Sequence, residues 1–277
     1  MYHYFRQSWM ISCYLVKQYV TDDCSKTAAS LAYSTLLAIV PLMLVSLSIA
    51  SKVPTFSHVV NGLQQFVLTN FVTGAAGSIV HYLDDFMSQV THLSWTNIVA
   101  FTVTGLLLLY NMVMAFNSIW HVQMTWHWHF TLRFLFYFTI LLLAPLMLAV
   151  LLLIVSYVTS LSLFSSNYFH DMITHPLVIL SPYLAAFVTF SFFNWVLPTC
   201  QVKLRYALVS GFVSMIFFEL IKYFFTWYIS VFPTYKIIYG ALATIPIFFI
   251  WIYLSWVVIL IGAIFCKGLH LYFKALP

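Results

Sequence analysis

Apolar residues run along this chain in long blocks, with neither the alternation of a half-buried strand nor the narrow stripe of a soluble helix. Six blocks stand out, near 28–50, 95–117, 134–160, 177–197, 207–230 and 242–265. Each has about the 20 residues a helix needs to cross a hydrocarbon core of ~30 Å. Backbone in lipid must satisfy its own hydrogen bonds, so a run without alternation spans as a helix. The expected fold is therefore an all-α integral membrane protein with six transmembrane helices. Before them, His3, Arg6, Gln7, Tyr14, Lys17 and Thr21 recur at helical spacing, which predicts an N-terminal interfacial helix on the membrane surface. The connection 52–94 carries Phe56, Val59, Val60, Leu63, Phe66 and Val67 at i, i+3, i+4, i+7 spacing, which predicts amphipathic helices in the first outer loop. The chain divides as 1–27 (interfacial helix and entry to span one), 28–265 (the six-span domain) and 266–277 (a cytoplasmic tail).

Composition strengthens the membrane reading. The chain is 63% apolar and 6% charged, where a soluble domain carries about 25% charge. Basic residues set the orientation. Arg6, Lys17, Lys26, Arg133, Lys203, Arg205, Lys267 and Lys274 fall on one side, against Lys52 and Lys236 on the other. That bias predicts both termini in the cytoplasm. Cys13, Cys24, Cys200 and Cys266 then lie at cytoplasmic ends as free thiols. Pro41, Pro145 and Pro246 fall within spans one, three and six and are expected to kink them. Glycine is sparse and no block carries a GxxxG pair, so close glycine-mediated packing is not expected.

One charged pair interrupts the apolar blocks. Glu219 and Lys222 are the only charges between Tyr206 and Val231. Counted from Arg205, Glu219 lies roughly 20 Å into the span at 1.5 Å per residue. A charge at that depth costs a few kcal/mol and usually pairs or lines a polar cavity. Three residues apart on a helix, the two can meet. They are the candidate intramembrane polar centre, either as a site for a proton or substrate charge or as an ion pair fixing helix packing. Asn111 and Tyr33 are candidate neighbours, although an interhelical hydrogen bond and an ordinary packed tyrosine are the plainer roles for them. The His-Trp segment from Trp120 to His129 lacks a nearby carboxylate or cysteine and reads as an interfacial aromatic belt rather than a metal site. Asp22 and Asp23 are expected to cap the start of span one. Asp84 and Asp85 are adjacent and diverge on a helix, which does not suit hydrolysis. No cofactor, metal or catalytic motif is recognised.

Several strings resemble one family. Ala29 to Leu42, ASLAYSTLLAIVPL, is similar to the first span of the YihY/BrkB family of bacterial inner-membrane proteins. Asn117-Ser-Ile-Trp120, the Pro198 and basic entry through Lys203 and Arg205, the Glu219-x-x-Lys222 pair, and the block from Phe232 to Ile264 resemble its further motifs in order, over roughly 20–265. The block departs at one position: Ile264 stands where the family's block ends in glutamate, so no role of that glutamate carries over. The resemblance implies six spans and an inner membrane. Some members bear a ribonuclease BN label, others are discussed as virulence or serum-resistance factors and as movers of envelope lipids. A nuclease is not supported here, because no carboxylate cluster or basic groove offers a site for RNA.

The expectation is thus a transporter of a lipid or envelope precursor, and not an enzyme, with Glu219 and Lys222 at its centre. The alternatives are a structural or partner-binding envelope protein and a lipid-modifying membrane enzyme. The partners expected are membrane lipids and that substrate, with no nucleic acid and with a homo-oligomer left open.

Overall fold

The computed structural model describes residues 15–50, 95–122, 135–140, 167–231 and 244–274. Among them every regular element is helical and no strand occurs. Five long helices are seen: α1 Cys24–Ala50, α2 Trp95–Trp120, α3 Asn167–Val196, α4 Leu204–Val231 and α5 Thr244–Lys274. Residues 15–21 and 135–140 are also helical. Segments long and apolar enough to cross a membrane are Val99–Trp120, Leu204–Ile229 and Pro246–Phe273, with a shorter apolar stretch at Pro182–Val196. The outer loop 52–94, most of the third predicted span, Cys13, and the segment 126–129 lie outside the described residues.

The chain groups into two compact units. One gathers Met1–Leu36, Tyr110–Thr125 and Ser181–Pro277, the other Leu37–Leu109 and Trp126–Leu180. The first unit contains the pairing of α4 with α5. Its aromatic side chains interlock there: Trp251 of α5 packs on Phe218 at 5.4 Å and Phe225 at 5.2 Å between ring centroids, and Phe190 of α3 packs on Phe218 at 5.3 Å. Such tilted and edge-on pairs add stability beyond their buried area. Ile264, at the position of the family glutamate, is fully buried beside Leu260 and Ala263. A carboxylate would there lose its hydration among apolar neighbours.

Three expectations are corrected. Close glycine packing does occur. A methyl group on Gly211 of α4 would meet the backbone N and Cα of Ser191 of α3 at 2.7 and 2.8 Å, besides the Ser191 hydroxyl. A methyl on Gly262 of α5 would meet the Ser214 hydroxyl of α4. The GxxxG pattern looks for two glycines on one helix, whereas here each glycine faces a serine on another. Pro246 stands in the first turn of α5, where a proline needs no intrahelical donor and forces no kink; Pro41 does lie in the interior of α1. Finally, only one of the two aspartates stands at the start of α1: Asp23, whose carbonyl accepts from Thr27 N–H at 3.1 Å. Asp23 adopts φ 49° and its carboxylate pairs with Lys26 at 2.9 Å. Asp22 turns away to other partners, as the site geometry shows.

Candidate functional site

The pair picked out by charge is formed. Lys222 Nζ lies 2.5 Å from Glu219 Oε2, one helical turn back on α4. The Lys222 side chain is 45% exposed and that of Glu219 21%. Lys222 also lies 5.7 Å from the centre of the Tyr183 ring on α3, within reach of a cation–π contact. The helix that carries the pair is the least enclosed of the three candidate spans among the described residues. The arrangement is an open, net-neutral ion pair roofed on one side by an aromatic ring. It offers one cationic and one anionic contact three residues apart, and so can receive a ligand carrying both signs.

The two candidate neighbours go elsewhere. Asn111 of α2 donates from Nδ2 to Ser34 Oγ of α1 at 3.0 Å, an interhelical bond of the plainer kind. Tyr33 is exposed on α1. Next to Asn111's partner, Trp256 Nε1 of α5 donates to Thr35 Oγ1 at 3.0 Å. These bonds tie α1 to α2 and α5, and neither reaches the ion pair.

A second polar cluster, which sequence reasoning missed, lies where α2 ends. His121 is left-handed at φ 53°, and the chain closes on it with His121 N–H donating to Ser118 O at 3.1 Å and Val122 N–H to Asn117 O at 3.1 Å. This is a Schellman ending, in which glycine usually takes the left-handed position. Histidine is held there by its side chain. Nδ1 lies 3.0 Å from Ser118 O, and Nε2 lies 3.6 Å from Asp22 Oδ1. The Asp22 side chain is 5% exposed and accepts from Gln18 Nε2 at 2.7 Å. Lys267 of α5 is buried and donates from Nζ to Ile119 O at 2.7 Å, with His121 Nδ1 at 3.5 Å. A cation on the last carbonyls of α2 complements the negative end of its macrodipole. The sequence held no signal for this cluster, because its three members are separated by about 100 residues or more and no glycine marks the turn.

Beside it, Asn117 Oδ1 accepts from both the N–H and the hydroxyl of Thr199, each at 3.0 Å. Asn117 Nδ2 and Trp120 Nε1 are buried and have no hydrogen-bond partner among the described residues. Trp120 packs edge-on against His270 of α5 at 5.6 Å, and His270 against Tyr206 of α4 at 5.9 Å.

Cys24, Cys200 and Cys266 are free. Burial, with the nearby Asp22 and Asp23 carboxylates, pushes the Cys24 thiol up to about 12. Burial beside Tyr253 likewise pushes the Tyr19 hydroxyl up to about 12. No group of three or more His, Cys, Asp or Glu side chains gathers among the described residues in a way that could hold a metal.

Comparison with known proteins agrees that this is a membrane protein. The chain is 40% identical over 264 residues to a UPF0761 membrane protein of Coxiella burnetii, covering 95% of this chain and 94% of that one. It is 37% identical over 266 residues to UPF0761 membrane proteins of Pseudomonas paraeruginosa and Pseudomonas aeruginosa, covering 95% of this chain and 64% of each of theirs. No solved structure matches. The family model described as Virulence factor BrkB matches residues 15–271, nearly the whole chain, and the protein therefore belongs to this family of membrane proteins.

Proposed function

We propose that this membrane protein is a permease of the bacterial inner membrane, with six spans and both termini in the cytoplasm, that moves a lipid or envelope precursor past Glu219 and Lys222. One observation carries the reading: a charged pair in the middle of an apolar helix, closed on itself yet left partly open. A pair serving only to hold helices together would be expected between them, shielded from lipid. Here the helix that carries it is the least enclosed of the three candidate spans among the described residues. Tyr183 beside Lys222 adds an aromatic face to the open side, and a ligand with a phosphate and an amine would meet Lys222 and Glu219 in turn.

The test is complementation of a deletion strain by Glu219→Gln, Lys222→Met and the double exchange Glu219→Lys with Lys222→Glu, each checked for normal amounts in the membrane. Transport predicts that all three fail, because a substrate reads the placement of each charge. Full complementation by the two single variants sinks the proposal. A second reading, a structural or partner-binding membrane protein, draws on the 2.5 Å contact within the pair itself. It predicts that the exchanged pair works while the single variants fail.

A further inference from the structure

A hydroxyl on a helix in lipid can satisfy itself by turning back onto a carbonyl one turn earlier. Thr189 of α3, Ser210 and Thr226 of α4 and Ser255 of α5 all do so, at 2.8–3.0 Å. Ser191 of α3 and Ser214 of α4 do not. Ser191 is 6% exposed and Ser214 1%, and neither Oγ has a hydrogen-bond partner among the described residues. Asn194, three residues after Ser191, is 3% exposed, and its Oδ1 is likewise unmatched. The orientation of its amide is fixed, because Nδ2 donates to Phe190 O at 3.0 Å.

These three groups converge on one junction. Ser191 Oγ lies 2.0 Å from the point a methyl on Gly211 would take, and Ser214 Oγ lies 2.0 Å from that of Gly262. Asn194 Nδ2 is 3.4 Å from the same Gly262 point. Here α3, α4 and α5 meet with no side chain from either glycine between them. The bond to Phe190 O draws the Asn194 amide back along α3 toward the level of Ser191, and Gly211 and Ser214 share a face of α4. A water molecule bonding two groups at ~3 Å each joins atoms up to about 6 Å apart. Ser214 Oγ and the Asn194 amide, both against one methyl position, fall within that reach.

The groups also dictate what fits. Asn194 Oδ1 needs a donor, and each serine hydroxyl has a proton to give. The Cα–H groups of the glycines offer the serine oxygens a weak contact but cannot accept their protons. A metal ion would take lone pairs from the three oxygens and leave both hydroxyl protons without an acceptor. None of the three side chains carries a charge to balance it. A water molecule accepts from both hydroxyls and donates to Oδ1, within the two to four bonds that buried waters make.

We infer that the junction of α3, α4 and α5 is a binding site for one water molecule, held by Ser191, Asn194 and Ser214. It bridges α3 to the α4–α5 pair inside the apolar bundle, and Glu219 and Lys222 take no part in it.

The full-length chain tests this in two ways. A crystal structure grown from lipid, at a resolution that shows ordered water, should place a peak within hydrogen-bond distance of Asn194 Oδ1 and both serine oxygens. In detergent, Ser191→Ala and Ser214→Ala should each lower the melting temperature by about 2–4 °C, the shift of one lost hydrogen bond in a chain of this size. The double variant should lose less than the sum, because both hydroxyls hold the same molecule. A hydroxyl with nothing to bond gives the opposite sign, since its removal relieves a buried polar group. A rise in melting temperature in either single variant, strict additivity, or no peak at the junction overturns the inference. So does a saturable rise with sodium chloride over potassium chloride at equal ionic strength that Ser214→Ala abolishes, which would assign a cation instead. The peak is read on the unaltered chain, so the test stands even where a variant fails to fold.

Discussion

Adding one methyl group at Gly211, Gly262 or Gly105 tests the helix seams directly. Alanine in place of a helical glycine gains about 1 kcal/mol in propensity, so the three sites differ only in what the methyl meets. At Gly105 the obstacles are the far ends of side chains, Leu42 Cδ2 at 2.6 Å and Phe138 Cε2 at 3.0 Å, which can swing aside. Gly105→Ala is therefore expected to be neutral or slightly stabilising. At Gly211 the obstacles include the backbone of Ser191 at 2.7 and 2.8 Å, which cannot move without moving α3. Overpacking of this kind costs about 1–3 kcal/mol. After the propensity gain, Gly211→Ala should lose up to about 2 kcal/mol. Gly262 divides the two cases, because its obstacle is the side chain of Ser214, with Asn194 Nδ2 at an ordinary 3.4 Å. Ser214→Gly should rescue Gly262→Ala, whereas Ser191→Gly should rescue Gly211→Ala only in part, since the Ser191 N and Cα remain. The assay is the melting temperature of the detergent-purified variants, read by size-exclusion recovery after heating. Gly211→Ala melting above the parent, or full rescue of it by Ser191→Gly, would refute the seam.

Two further outcomes follow, the first from the cluster at the end of α2. His121→Gly removes left-handed strain of about 1 kcal/mol but takes away a bond to Ser118 O and leaves the buried Asp22 with Gln18. The net expectation is a loss of about 1 kcal/mol, suppressed by Asp22→Asn, measured by melting temperature; a more stable His121→Gly would show the side chain to be dispensable. Cys24 is buried with a thiol pushed up to about 12, while Cys200 is only partly covered. At pH 8 roughly one Cys24 in ten thousand is thiolate. With Cys13 replaced by serine, maleimide at pH 8 should modify Cys200 first, and labelling of Cys24 in the folded protein should rise only as the pH approaches the raised value. Equal rates for the two would contradict the burial.

The unbroken apolar blocks decided by themselves that this chain is a membrane protein built from helices. Lipid leaves the backbone no other way to satisfy its hydrogen bonds, and that rule depends on composition and length, not on partners. The Glu219–Lys222 contact was equally legible, since three residues on a helix set it without help from the rest of the fold. Tertiary structure alone decided which residues meet across helices. It sent Asn111 to Ser34 rather than to the ion pair, and it set Gly211 against Ser191. It also gathered Asp22, His121 and Lys267 from three distant segments at one helix end. Periodicity records which face of a helix is apolar, but in lipid nearly every face is apolar. The pattern therefore loses its power to say which face turns inward, and close contacts are left to the fit of small residues and buried hydrogen bonds.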